Sequence, residues 1–484
     1  GPAARTRHMT LITSQTLHDL ALCERRAWLS VHAPFDDAPR TIGVVWERSS
    51  EGALESREVS GWTEAVALTE RLMALGVASI FGACIEVQTP LDLTDRVFTI
   101  RAEIDRLERI AHLGEAAYAP VLVRQDTATS EADALVLDLW VWVLDGLNGA
   151  PPPAELWSGA DSLGRVRRRA VHDYDEGRVL DALTRAAALL AEDDAPPVRL
   201  IDACKACPHR HTCETVARQD GALDLLYGVS RRVRDGLRAA GLRSLADVAA
   251  AAPDDLLQVK GIGLRTAPAI QANARAWLNA RPVHKAPLPD VCASGGWMFD
   301  LETLERNGRV VPWCMGWCDP DGHTEIALVA PVQTPEPLTL PDGQRVILAP
   351  DSDATWEAFA EAVAGDTPIF HWTGYDAAIL RGSAPAHVQR DLLSRFEDLH
   401  RHFTRAVSLP LRSTSIKAIS IYLGFPWLGY NEWFAAYLDY QFWLDSGQID
   451  ALARACMYQR ADVQSMAWVW RWWLAERHAG RGLG

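Results

Sequence analysis

The chain has 484 residues, 48% of them hydrophobic, enough to bury sizeable cores in two to four domains. Its formal charge of −15 argues against a whole-surface polyanion binder, and no uninterrupted apolar run reaches membrane-spanning length. Nine cysteines spread over so long a chain, without a charged-then-apolar leader, exclude a disulfide-built secreted scaffold and point to a reducing cytoplasm.

The opening GPAARTRH, residues 1–8 before Met9, reads as an expression remnant and is left out of the fold. From residue 9 to about 215 helical and strand patterns mix. LITSQTLHDLALCERRAWLSV repeats apolar positions at helical spacing, while DRVFTIRAEIDRLERI and YAPVLVRQD read as short strands. DALVLDLWVWVLDGL is apolar nearly all round, which predicts a buried helix.

The stretch IDACKACPHRHTCE then gathers Cys204, Cys207 and Cys213 with His209 and His211. A zinc site would use the three cysteines with His209 or His211 in tetrahedral coordination. An iron–sulfur site needs a fourth thiolate, for which Cys23 in LALCERRAWLSV is the candidate. A disulfide is the weakest reading in a reducing compartment. Cys84, Cys292, Cys314, Cys318 and Cys456 read as core residues.

Residues 216–285 are rich in Ala, Leu and Arg, with short helices punctuated by glycines. Between Gly228 and Lys285 ten Lys/Arg stand against four Asp, a local charge of +6 inside an acidic chain, which points to nucleic acid. LLQVKGIGLRTAPAIQANARAW has the form of a helix-hairpin-helix motif: an apolar helix, the turn Gly261-Ile262-Gly263, and a second helix. Lys260 and Arg265 flank the turn. Glycines there allow a sharp turn that brings backbone N–H groups against a phosphate, so the motif would read DNA backbone and not sequence. A protein-contact helical module is the alternative.

After the Pro/Gly-rich linker NARPVHKAPLPDVCASGG, an α/β unit fills residues 286–484. GWMFDLET and RVVPWCMGWC read as strands, PIFHWTGYDAAIL as strand, turn and helix start, and DALARACMYQRADVQSMAWVWRWWLAE as a long helix. FDLET puts Asp300 and Glu302 on one face of its strand. Asp376 opens a helix, and YQRADV sets Tyr458 and Asp462 four apart on one helix face. Two acids on one face are costly unless a cation or proton sits between them.

The order Asp-x-Glu, Asp, Tyr-x-x-x-Asp resembles the DEDDy branch of RNase H-like 3′–5′ exonucleases. By that resemblance Asp300, Glu302, Asp376 and Asp462 hold two Mg²⁺ or Mn²⁺ ions, Tyr458 orients the attacking water, and Lys417 in STSIKAISIYLGF contacts a phosphate. The early cysteine followed after about 180 residues by Cys-x2-Cys-x5-Cys resembles the [4Fe–4S] staple of RecB-family nuclease domains. That family's PD-(D/E)xK site is degraded here. Asp105 falls in place, but Glu55 stands where the family has His, Leu122 and Arg124 where it has Glu/Asp and Lys, and Asp138 and Trp142 where it has Gln and Tyr.

The whole architecture resembles bacterial RecB-like nucleases that join a cluster-bearing domain, helix-hairpin-helix motifs and an RNase H-like domain. The expected fold is thus α/β and multidomain: a degenerate RecB-like domain at 9–215 kept as scaffold or DNA clamp, a small all-α domain at 216–285, and an RNase H-like domain at 286–484. The expected activity is a cytoplasmic, nucleoid-associated 3′–5′ exonuclease acting in repair on DNA that is single-stranded or has a free 3′ end. The resemblance adds a helicase partner. A non-enzymatic DNA-binding repair adaptor and an RNA-processing exonuclease are the alternatives.

Overall fold

The computed structural model describes residues 11–33, 42–47, 54–90, 97–110, 117–124, 130–159, 166, 168–306, 308–428 and 433–478. The opening remnant, residues 1–8, lies outside the described residues. The chain divides into two compact units, residues 1–214 and 215–484. No helix among the described residues is long and apolar enough to cross a membrane.

In the first unit β1 (Leu11–Thr13), β2 (Ile42–Glu47), β3 (Leu54–Val59), β4 (Ser79–Pro90), β5 (Val97–Arg109), β6 (Tyr118–Arg124), β7 (Ala154–Ser158) and β8 (Arg168–His172) share one sheet. Its order is β3-β2-β4-β5-β6-β7-β8, with β1 added parallel to β5. Along β5 Phe98, Ile100, Ala102 and Ile104 are buried, so Arg101, Glu103 and Asp105 share the opposite face.

The helices of this unit are α1 (Ser14–Leu22), α2 (Glu24–His32), α3 (Trp62–Ala74), α4 (Glu131–Asn148) and α5 (Glu176–Leu190). The helical spacing of residues 14–32 is realised as two helices because Cys23 is extended, at φ −167°. Thr13 caps α1 with a capping box, its hydroxyl accepting from the Thr16 N–H at 3.0 Å. The buried face of α4 carries Leu139, Trp140 and Val141, and Trp140 Nε1 donates to Ser14 Oγ at 2.9 Å. The two ends of the unit meet: Trp28 Nε1 donates to Glu192 O at 3.0 Å, Arg25 donates to Pro196 O, and Arg185 pairs with Glu24.

In the second unit β9 (Trp297–Arg306), β10 (Arg309–Cys318), β11 (Thr324–Val329), β12 (Glu336–Thr339), β13 (Arg345–Ala349), β14 (Ile369–His371) and β15 (Phe396–Asp398) form a mixed sheet of order β12-β13-β11-β10-β9-β14-β15. The antiparallel run β9-β10-β11 is extended by β14 and β15, both parallel to β9. Four helices matter to the sites of this unit: α6 (Thr266–Asn279), α7 (Gly374–Ser383), α8 (Ile416–Tyr422) and α9 (Ile449–His478). At ~1.5 Å per residue, α9 runs about 45 Å, and it packs on β9, β10 and β11.

Strand alternation divides the core around this sheet. Phe299 and Trp317 pack with Trp356 and Phe359 on one face, while Met298 and Cys318 pack with Val463, Met466 and Trp470 of α9 on the other. The helical segment before the sheet is tied into the same unit. Asn273 Nδ2 donates to Leu409 O at 2.8 Å, and Val283–His284 pairs with Val407–Ser408.

Candidate metal and nucleic-acid sites

Met298 faces α9, so two-residue periodicity turns Asp300 and Glu302 toward α9 as well. The register between β9 and β10 shifts between Glu302 and Thr303, a local irregularity at the end of the acidic pair. From α9, Asp462 completes a set. One ligand oxygen from each of Asp300, Glu302 and Asp462 lies within 4.8 Å of the other two. Asp376, buried in the first turn of α7, is close enough to feel the charge of Asp300, and backbone N–H groups including that of Leu301 donate to it.

Burial and mutual repulsion act together here. Burial pushes Asp300 up to about 6, against the opposing hydrogen bond from Gln459 and the positive charge of Lys417. Burial raises Glu302 well above the carboxylate range, and the charges of Asp300 and Asp462 raise it further. Asp376 and Asp462 are raised by burial first and by Asp300 second. Such a cluster holds protons until a cation replaces them.

Tyr458 stands over these carboxylates. Its phenol donates to Asp462, and Lys417 Nζ of α8 donates to Tyr458 Oη at 2.9 Å, lying 4.5 Å from the tyrosine ring centre. Burial and then the surrounding carboxylates hold the phenol far above its ordinary value, so it stays protonated. Lys417 also lies 5.4 Å from the Trp427 ring.

Gln459 escaped the sequence reading. Its Nε2 donates to Asp300 O at 3.0 Å and to Asp300 Oδ2 at 2.9 Å, fixing that carboxylate. Room for it comes from Gly316, where a Cβ would sit 2.8 Å from Gln459 Cγ. Only its position beside Tyr458 could have drawn attention to it, because a lone amide carries no spacing signal.

In the basic segment, helix Pro253–Leu257 leads through Gly261 and Gly263 into α6. Lys260 and Arg265 are exposed beside the turn. Gly261 adopts φ +99°, and a Cβ there would meet Val233 Cγ2 at 2.9 Å. The Gly263 N–H donates to Thr266 Oγ1 at 2.8 Å. The local charge of +6 overstates the free basic surface, since Asp224, outside the counted stretch, pairs with Arg234 at 3.0 Å and with Arg238 at 3.7 Å.

Cys23, distant in sequence, comes together with the three cysteines of residues 204–213. Cys23, Cys204, Cys207 and Cys213 line one small cavity, with His209 and the arginines Arg25, Arg26, Arg199 and Arg210 around them. Cys23 reaches it from the break between α1 and α2. His209 is buried, whereas His211 is exposed. Burial raises Cys207 against the charge of Arg26, and raises Cys213 against a hydrogen bond from Arg25. The other five cysteines are free and buried.

A separate cavity of the first unit, about 620 Å³, is lined by Asp105, Leu122 and Arg124 together with Glu103, Val136 and Trp140. Asp105 Oδ2 accepts from the Val123 N–H at 2.8 Å, and burial raises its pKa. Leu122 is buried, and Arg124 is spent on Asp133 at 2.7 Å. Asp138 is fully buried and takes hydrogen bonds from His172, the Asp175 N–H and Arg178. Glu55 lies on β3 beside Trp46 of β2.

Residues 342–474 match the family model of the RNase_H superfamily. The match contains Asp376, Lys417, Tyr458 and Asp462, and the strand carrying Asp300 and Glu302 precedes it. It identifies an RNase H-like domain, a nuclease type that uses divalent metals on nucleic acid. A crystal structure of SSO0001 is similar over 44% of this chain and 89% of that one, at 12% identity and a TM-score of 0.25, too distant to carry an argument. No curated protein matches the chain.

Proposed function

We propose that the protein is a metal-dependent 3′–5′ exonuclease of DNA. The observation that carries this reading is the convergence of Asp300, Glu302 and Asp462 within 4.8 Å beside an RNase H-like domain match. Held by these three and Asp376, two divalent cations would supply the charge neutralisation and Lewis acidity that phosphodiester hydrolysis needs. The donor set is all oxygen, which suits Mg²⁺ or Mn²⁺.

The remaining work falls to side chains. Tyr458 Oη donates its single proton to Asp462 and accepts from Lys417, which leaves one lone pair. A water hydrogen-bonded to that lone pair would present its own oxygen to the phosphorus. Because Tyr458 stays protonated, it positions the water and does not deprotonate it. Lys417 holds the phenol and adds positive charge beside the scissile phosphate. Gln459 keeps Asp300 from rotating.

In the basic segment, Lys260, Gly261, Gly263 and Arg265 form a helix-hairpin-helix grip on DNA backbone. Cys23, Cys204, Cys207 and Cys213 would hold a [4Fe–4S] cluster that ties the two ends of the first unit together, with the surrounding arginines offsetting thiolate charge. With Leu122 and a paired Arg124 at the second acid and lysine positions, the first unit serves as scaffold, and the pathway is DNA repair.

Labelled single-stranded DNA and RNA, marked at either end and digested with and without Mn²⁺, test this reading. Mononucleotides released from the 3′ end of DNA only with metal are expected. Faster digestion of RNA would move the assignment to RNA processing, and no digestion of either would remove it.

A further inference from the structure

A cavity of about 290 Å³ in the second unit belongs to neither the carboxylate cluster nor the cysteine cavity. It is bounded by α6 and by the chain from Phe403 to Ile419. Much of its wall is apolar, from Ile270, Leu409 and Ile419, and Thr404, Ser408, Ser413 and Thr414 lie on the rest, the hydroxyls of Thr404, Ser413 and Thr414 donating to His400 O, Ser415 Oγ and Tyr227 Oη. Tyr227, 42% exposed, stands at the same cavity, its Oη accepting from Thr414 Oγ1 at 2.8 Å.

Among the described residues that line this cavity, Lys285 is the sole charged one. Its ammonium donates to Thr404 O, and burial holds it below the ordinary lysine value, with no neighbouring charge contributing. An ammonium has three donors, and a carbonyl satisfies one of them without neutralising the charge. A half-buried cation without a counter-ion is costly unless an anion joins it. The two remaining ammonium donors, with the Ser408 hydroxyl and the Tyr227 phenol proton, suit an anion with three acceptor oxygens better than one with two. The apolar and aromatic wall suits a flat ring attached to that anion. Sites for small organic ligands start at roughly 300 Å³, so the cavity has space for one nucleotide and not for a strand.

We propose that this cavity binds a single nucleoside 5′-monophosphate, with its phosphate at Lys285, Ser408 and the Tyr227 phenol and its base against the apolar wall. The site shares Gly261 with the proposed backbone grip but needs neither the carboxylate quartet nor a divalent ion, so nucleotide binding fails separately from the exonuclease reading. The product class of that reaction is also the ligand class of this cavity, which makes occupancy a means of sensing product.

Calorimetric titration of the full-length chain in EDTA tests the proposal, using dAMP, dTMP, deoxyadenosine and inorganic phosphate as probes. Saturable binding of dAMP and dTMP is expected, with deoxyadenosine and phosphate each weaker by roughly tenfold or more. Lys285→Met should weaken dAMP by roughly tenfold or more, while Lys285→Arg retains most of the affinity. If Lys285→Met does not fold, as judged by thermal melting, Ala269→Phe fills the cavity from α6 and should abolish binding. Phosphate binding as tightly as dAMP, absence of saturation by either nucleotide, or unchanged affinity in folded Lys285→Met or Ala269→Phe would each overturn it.

Discussion

At the Asp300 carboxylate a proton and a cation would compete for one place. Gln459 fixes it at 2.9 Å, and Glu302 and Asp462 crowd it from two elements. Asp300→Ala or Asp462→Ala should abolish digestion while melting stays cooperative, because a two-metal site fails when one bridging ligand is lost. Tyr458→Phe should slow cleavage about a hundredfold with metal binding retained, the size of effect expected for misplaced reactants. Unchanged rates in the Asp300 and Asp462 variants would end the exonuclease assignment.

Without metal, the folded state keeps a proton on Asp300 up to about pH 6 that the unfolded chain gives up near its ordinary 3.8. The stability that this proton contributes is therefore full below 3.8, falls as pH rises through this window, and is lost above about 6. Glu302, Asp376 and Asp462, all raised, push the loss in the same direction. The melting temperature in EDTA should be lower at pH 8 than at pH 5, and Mn²⁺ should raise it far more at pH 8. An equal Mn²⁺ shift at both pH values would show that the cation does not displace protons from this cluster.

At the level of elements, function depends on which face a residue shares. Positions 458, 459 and 462 lie on the side of α9 that meets β9, so one helix supplies the amide that holds Asp300 and, on the proposed reading, the water-positioning phenol and a ligand. The turn before α6 depends on Gly261 in the same way. Gly261→Ala should destabilise the protein by about 1–2 kcal/mol for the left-handed backbone alone, with the contact to Val233 added, as read by denaturant unfolding. Reversing charge at Lys260 and Arg265 should weaken DNA binding uniformly across sequences and flatten its salt dependence by about one unit per lost phosphate contact in anisotropy titrations. If affinity and slope both persist, the turn is a protein-contact module.

For the molecule as a whole, the first unit is closed where its beginning meets its end at the cysteine cavity. Purified without oxygen, the protein should be brown with about four irons per chain. Cys23→Ser should then bleach it as fully as Cys204→Ser. A colourless protein in which Cys23 is dispensable and His209 is needed would show zinc instead; His211, being exposed, should matter in neither case. Closing a loop of some 180 residues between Cys23 and Cys204 removes much unfolded-state freedom, so the variants should also melt earlier.

Local pattern alone carried the strands of FDLET and RVVPWCMGWC, the buried helix read from the all-round apolar stretch 133–147, the long C-terminal helix and the common face of Asp300 and Glu302. These follow from local rules of pleat and helical turn, which any short window of sequence contains. The break at Cys23 lay beyond those rules, because helical spacing runs through it and only the cavity it joins shows what the break serves. Gln459 stayed hidden because its role is set by an amide reaching a strand more than a hundred residues earlier, through the space that Gly316 leaves. The charge count of the basic segment missed the pairing of Arg234 with Asp224, since a sum over residues contains no distances. Lys285 read as one more basic residue of that segment until folding placed it in a cavity with no other charge among the described residues that line it. Sequence determined which chemistry each element carries; tertiary packing decided which charges meet, because burial and proximity are properties of the fold.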